Sequence, residues 1–120
     1  MKKYPVRCPV TSYLSVMGGH WKPIIIWRLR ENEMRFKDLL NLMPDISSRV
    51  LSEELKELEE DGVIARQSYN ETPPRVEYSL TKYGATIIPA LSGLREWGLK
   101  HLKKNKEILH PDSEWNQKLK

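Results

Sequence analysis

Residues 47–60 gather the side chains best suited to bind an anion. Ser47, Ser48, Arg49 and Ser52 crowd the start of the segment, and Lys56 follows one turn later. Leu51, Leu55 and Leu58 recur at intervals of four and three, the period of a helix with one apolar face; Val50 or Leu51 can open that stripe. The serines and the two cations then fall on the opposite side. There, hydroxyl, guanidinium and ammonium donors suit phosphate oxygens and the acceptor edges of bases. Ser47 has two roles open to it, capping the helix start or contacting a phosphate. The carboxylates Glu53, Glu54, Glu57, Glu59 and Glu60 are expected toward the far end, where repulsion from an anionic partner is weakest.

Further cations flank this segment. Arg35 and Lys37 precede it, while Arg66, Arg75 and Lys82 follow. Alone, each is an ordinary surface charge; Lys37, Lys56, Arg66 and Arg75 around one groove form a phosphate-binding set. Cys8 is the one thiol, and it lies near a helix start beside Lys2, Lys3 and Arg7. Those surroundings would help stabilise a thiolate, so the chemistry at Cys8 permits redox sensing. The commoner role of a lone cysteine is a small buried residue, here one that packs an interface between two chains. His20 is expected as a polar cap at a helix start, and Tyr13, Trp21, Trp27 and Trp97 as core and interface packing.

The elements that must position these residues can be read from periodicity and punctuation. Pro9 opens a short helix bearing Val10, Leu14 and Met17, which Gly18-Gly19 ends. A second helix starts within 20–23 and buries Ile25, Ile26 and Leu29 before the polar break at 30–33. Phe36, Leu39, Leu40 and Met43 make one face of a third, stopped by Pro44. Asp61-Gly62 closes the helix over 47–60, with glycine in the left-handed position. The period then changes, and residues 63–69 and 75–80 read as two strands around a five-residue tip stiffened by Pro73-Pro74. Thr81 caps a last long helix with Ile87, Leu91, Leu94 and Trp97 on its apolar stripe and a kink at Pro89. Beyond Leu102 the sequence turns polar and is expected to fray.

Composition narrows the function. The 120 residues suffice for one core and not for two. One cysteine and three scattered histidines supply no metal-ligand spacing, so no metal is expected. No Gly-rich phosphate loop, nucleophile elbow or Cys-x-x-Cys pair is present, and neither an enzyme nor a cofactor is expected. The longest apolar run, 23–27, falls far short of the roughly 18 residues of a membrane span. No apolar segment follows Met1-Lys2-Lys3, so the expected compartment is the cytoplasm and no membrane partner is expected. Twenty basic against 16 acidic side chains favour an anionic partner.

Two short helices joined by a tight turn and followed by a hairpin make the order of a winged helix-turn-helix, mainly α with a small β-hairpin (α+β). In that order the helix over 47–60 enters the major groove of double-stranded DNA. The rival reading is a winged helix that binds protein instead, since fold does not fix function. The chain resembles the HxlR-type winged helix-turn-helix regulators, within the MarR-like superfamily, over roughly residues 7–100. The resemblance is carried by Cys8-Pro9, Gly18-Gly19-x-Trp21-Lys22, Arg35-Phe36-x-x-Leu39 and Ile46-Ser47-x-Arg49-x-Leu51-Ser52-x-x-Leu55-Lys56-x-Leu58. It continues through Asp61-Gly62-Val63-Ile64, Pro74-x-Val76-x-Tyr78-x-Leu80-Thr81, Gly84 and Trp97. His20 departs from the lysine common in the family. The resemblance implies a transcription regulator, a homodimer built from the first and last helices, and a palindromic or near-palindromic operator. It also implies that Cys8 occupies a position some members use for sensing, and it names no small-molecule effector. On this reading residues 1–104 form one domain including the dimerisation helices, and 105–120 a polar tail.

Overall fold

The computed structural model describes residues 8–109 and 113–116. In chain order the elements are α1 (Pro9–Met17), α2 (Trp21–Arg28), β1 (Met34–Arg35), α3 (Phe36–Leu42), α4 (Ser48–Glu60), β2 (Ile64–Tyr69), β3 (Arg75–Leu80), α5 (Lys82–Ala85) and α6 (Ile88–Lys104). This is a mixed α/β winged-helix fold.

The core forms where the apolar faces of α2, α3, α4 and α6 meet the start of the hairpin. Ile25, Ile26 and Trp27 from α2, Leu39 from α3, Leu51, Leu55 and Leu58 from α4, Val63 and Leu91 are all fully buried. Leu51 rather than half-buried Val50 opens the α4 stripe, as a spacing of four then three requires. A short turn holds α3 against α4, closed by the Ile46 N–H donating to the Met43 carbonyl at 3.1 Å, with both side chains in the core. Gly62 takes φ +75° directly after α4, a backbone that side chains resist, and turns the chain into β2.

The hairpin pairs antiparallel in the register Ile64↔Leu80, Arg66↔Tyr78 and Tyr69↔Arg75. Its tip is the expected 70–74. A third strand was not expected: Met34–Arg35 pairs with Tyr78 and Glu77, giving the sheet order β1-β3-β2. Two residues are too few for a visible alternation, and the polar stretch before them conceals the strand.

The last helix departs from expectation. Thr81 caps α5 alone, its Oγ accepting from the Gly84 N–H at 2.9 Å, and the chain then turns at Thr86 and Ile87. Pro89 therefore kinks nothing. It stands in the first turn of a separate α6, where its missing donor has no intrahelical partner to lose. The stripe expected on this helix divides in the single chain: Leu91 is buried, while Leu94 and Trp97 are exposed. On α1, likewise, Met17 is buried while Val10 and Leu14 face out.

Fraying beyond Leu102 is not what the structure shows, since α6 runs to Lys104. Farther on, the Trp115 ring lies 4.8 Å from that of Trp27, and the Arg95 side chain, only 5% exposed, donates to the Trp115 and Asn116 carbonyls. Pro23, Leu91, Leu102 and Trp115 help line an apolar cavity of about 400 Å³ between this segment, α6 and the start of α2. No helix among the described residues is long and apolar enough to cross a membrane.

Candidate nucleic-acid interface

The start of α4 is built by its cap. Ser47 is extended at φ −83°, ψ 158°, and its Oγ accepts from the Val50 N–H at 3.1 Å, so the capping role is filled. From there Ser48, Arg49, Ser52 and Lys56 lie along one exposed stripe, opposite buried Leu51, Leu55 and Leu58. Arg49 is the most prominent of them, its side chain 75% exposed. Lys37 is exposed in the first turn of α3, whose start is held by the Arg35 N–H donating to Asp38 Oδ2 at 3.2 Å.

The acidic residues of α4 are not distributed as expected. Glu53 lies in the first half of the exposed stripe, with Arg49 Nη1 at 3.1 and 3.2 Å from its two carboxylate oxygens. Glu54 and Glu57 turn the other way, toward α2. They lie beside the Lys22 ammonium, which touches Glu57 and is 4.0 Å from Glu54. Helical spacing explains the split, because positions 53 and 54 differ by about 100° around the axis.

Lys22 is a functional neighbour that the sequence reading did not single out except as part of a motif. Its side chain is 7% exposed, and it fastens α2 to the helix that carries the candidate site. The available signal was a single cation directly before the apolar run Pro23 to Trp27, with carboxylates spaced by three on α4. Burial raises the Glu54 pKa; the Lys22 charge opposes that shift, while Glu57 and Glu53 add to it. A carboxyl raised in the folded state favours the fold when protonated and loses that contribution as pH rises through its titration. Lys22 therefore offsets part of a cost that charged Glu54 imposes at neutral pH.

In the wing, the register puts Arg66 and Arg75 on opposite faces of the ribbon, since Arg66 pairs with Tyr78 and Arg75 with Tyr69. Arg66 is exposed, and donates at 3.4 Å to Ser68 Oγ. Arg75 is held in place: its guanidinium lies 3.9 Å over the Tyr69 ring, 3.0 Å from Glu71 and 3.6 Å from Glu77. The fold thus brings Ser48, Arg49, Ser52 and Lys56 onto one face, but does not join Arg66 and Arg75 on another.

Cys8 is exposed in the single chain, and it occupies the N-cap position of α1. The Thr11 N–H, then the Thr11 hydroxyl and the Val10 N–H, hold its thiol below the ordinary pKa, although no side-chain capping bond closes. Lys2, Lys3 and Arg7, expected to assist, lie outside the described residues. His20 makes no side-chain cap either; its ring meets that of Trp21 edge-on at 4.6 Å. Among the described residues no group of histidine, cysteine or carboxylate side chains could hold a metal ion.

A capped, cation-bearing helix behind a tight turn and before a wing is the geometry of DNA-binding helix-turn-helix proteins. The model of the HxlR-like helix-turn-helix family matches residues 16–106. The chain belongs to the HxlR family. It is 44% identical over 94 residues to the uncharacterised HTH-type transcriptional regulator YdeP of Bacillus subtilis, covering 78% of this chain and 73% of YdeP. Among solved structures it is similar to the redox regulator HypR in its oxidised form, with TM-score 0.74 and 41% identity over 78% of this chain and 96% of that one. The reduced form of the transcriptional regulator YodB from B. subtilis superposes with TM-score 0.72 and 33% identity, over 82% and 98% of the two chains. Membership in HxlR makes this chain a helix-turn-helix transcription regulator of a DNA-binding family.

Proposed function

We propose that the protein binds a specific double-stranded DNA operator as a homodimer, one α4 entering the major groove at each half of a palindromic or near-palindromic site. The observation that carries this reading is the exposed stripe Ser48, Arg49, Ser52 and Lys56 at the capped start of α4. Arg49 reads base edges, the serines and Lys56 position the helix, and Lys37 and Arg66 take flanking phosphates. Arg75 reaches a phosphate only by leaving Glu71 and Glu77, so its contribution is chiefly to order the wing. The exposed apolar residues Val10 and Leu14 on α1 and Leu94 and Trp97 on α6 support pairing of two chains through these helices.

Selection from a random duplex pool at two salt concentrations tests the reading. Wild type is expected to enrich a two-part sequence and to weaken steeply with salt. Arg49→Ala is expected to weaken binding to that sequence by about 1–3 kcal/mol, roughly 5- to 150-fold. Binding that ignores both salt and the substitution would instead favour a protein partner.

A second element of the proposal concerns Cys8. Its exposure and lowered pKa, and the likeness to a redox regulator, support a response to oxidants or electrophiles through the thiolate. Diamide treatment is expected to change operator affinity of the wild type and to leave Cys8→Ser unaffected. Equal affinity before and after treatment of the wild type would remove this element and leave the DNA reading intact.

A further inference from the structure

The recognition stripe carries one residue that a purely phosphate-binding surface would exclude. Glu53 sits in the middle of it, between Arg49 and Lys56, while the other nearby carboxylates, Glu54 and Glu57, are turned toward Lys22. A carboxylate brought into the major groove is repelled by the phosphates on both sides unless it meets a donor there. Base edges provide such donors at two amines, adenine N6 and cytosine N4, and carboxylate side chains pair with the second.

The arrangement of the pair sharpens this. Arg49 Nη1 is 3.1 and 3.2 Å from the two oxygens of Glu53, so a cluster of donors and a cluster of acceptors end side by side. A G·C pair presents the complementary pattern across the major groove: two acceptors, guanine N7 and O6, followed by the donor cytosine N4. O6 and N4 are themselves about 2.9 Å apart, the length of the hydrogen bond that joins them. With one N–H kept on Glu53, the guanidinium retains donors for N7 and O6, and the carboxylate retains lone pairs for N4. An A·T pair presents acceptor, donor, acceptor in the same places. It would set adenine N6 against the guanidinium and thymine O4 against the carboxylate, two repulsive contacts that reject the wrong pair.

Resting on the DNA-binding reading above, we propose that Arg49 and Glu53 act as one unit that reads a single G·C pair in each half-site, Arg49 on the guanine and Glu53 on its cytosine. Glu53 is then a specificity-determining residue: it weakens non-specific binding by its charge and gains its own partner only on the correct pair.

The test uses the full chain and operator duplexes obtained by selection. The pair read by Arg49 is located as the position whose preference disappears in Arg49→Ala. In that pair cytosine is replaced by N4-methylcytosine, which keeps the Watson–Crick bond and puts a methyl group where the groove-facing N–H stood. Wild type is expected to bind the methylated duplex about tenfold more weakly. Glu53→Ala is expected to bind both duplexes alike, to discriminate less against A·T at this position because only the Arg49 contact still rejects it, and to bind unrelated DNA more tightly than wild type. Glu53 is exposed and alanine favours helix, so unchanged thermal melting of the variant separates this result from misfolding. Wild type indifferent to the methyl group, or Glu53→Ala keeping the full G·C preference with only a general gain in affinity, overturns the shared readout while sparing DNA binding. A wild type that enriches no sequence overturns the DNA-binding reading itself.

Discussion

Trp97→Glu is expected to convert the protein from a dimer to a single folded chain and to lower affinity for a two-part operator by about 100-fold. Trp97 is 66% exposed on α6, its ring stacked on that of His101 at 5.1 Å, and it stands outside the buried core. Removing it therefore leaves the interior of the single chain intact. In the proposed dimer the same indole is covered by the partner, and a glutamate there would be an unpaired charge within an apolar contact. Two linked recognition helices gain affinity because binding of the first raises the effective concentration of the second, and a monomer forfeits that gain. Analytical ultracentrifugation gives the mass, and fluorescence anisotropy on full and half operators gives the affinity. Loss of the preference for the full operator should accompany the change of mass. A variant that remains dimeric with wild-type affinity would rule out α6 as the pairing surface.

The exposed stripes on α1 and α6 also mark the limit of what the sequence could disclose. Apolar spacing identified Val10, Leu14, Leu94 and Trp97 as members of helical faces, but it cannot say whether a face is covered by the same chain or by another. Single-chain burial separates them from Met17 and Leu91, which lie on the same helices. The α4 helix was fully legible because three signals agree there: a serine cap, a leucine stripe and a glycine at the end. Its charges were not. A count along the sequence put all five glutamates at the far end, whereas the angular positions send Glu54 and Glu57 to Lys22 and leave Glu53 beside Arg49. The break between α5 and α6 escaped for a different reason. Thr81 was read correctly as a helix start, but Pro89 was read as a kink within the same helix, because one continuous apolar stripe hid the fact that the two residues open two helices. Arg75 shows a further limit: its place in a cationic set was visible, its engagement by Tyr69, Glu71 and Glu77 was not.

Gly84→Ala provides a stringent test of how the wing is fastened to the recognition helix. In a helix, alanine normally improves on glycine by roughly 1 kcal/mol. At this position a Cβ would lie 1.9 Å from the Val63 carbonyl oxygen and 2.9 Å from its carbon. The obstruction is backbone, so no side-chain rotation can relieve it. That carbonyl also accepts from the Thr81 N–H at 3.1 Å, while the Val63 N–H donates to the Leu58 carbonyl at the end of α4 at 3.0 Å. Any shift that admits the methyl group must therefore strain α5, the start of β2 and the last turn of α4 together. The expected loss is about 3 kcal/mol, at the upper end for overpacking of a filled site, despite the gain in helix propensity. Chemical denaturation measures it, and Gly93→Ala on α6, where a Cβ meets nothing within 4 Å, serves as the control expected to be neutral or stabilising. Equal stability of Gly84→Ala and wild type would mean that α5 docks on β2 more loosely than this contact requires. Because Val63 leads directly into the strand that carries Arg66, a destabilised Gly84→Ala should also lose salt-dependent phosphate contacts while its α4 base preference persists.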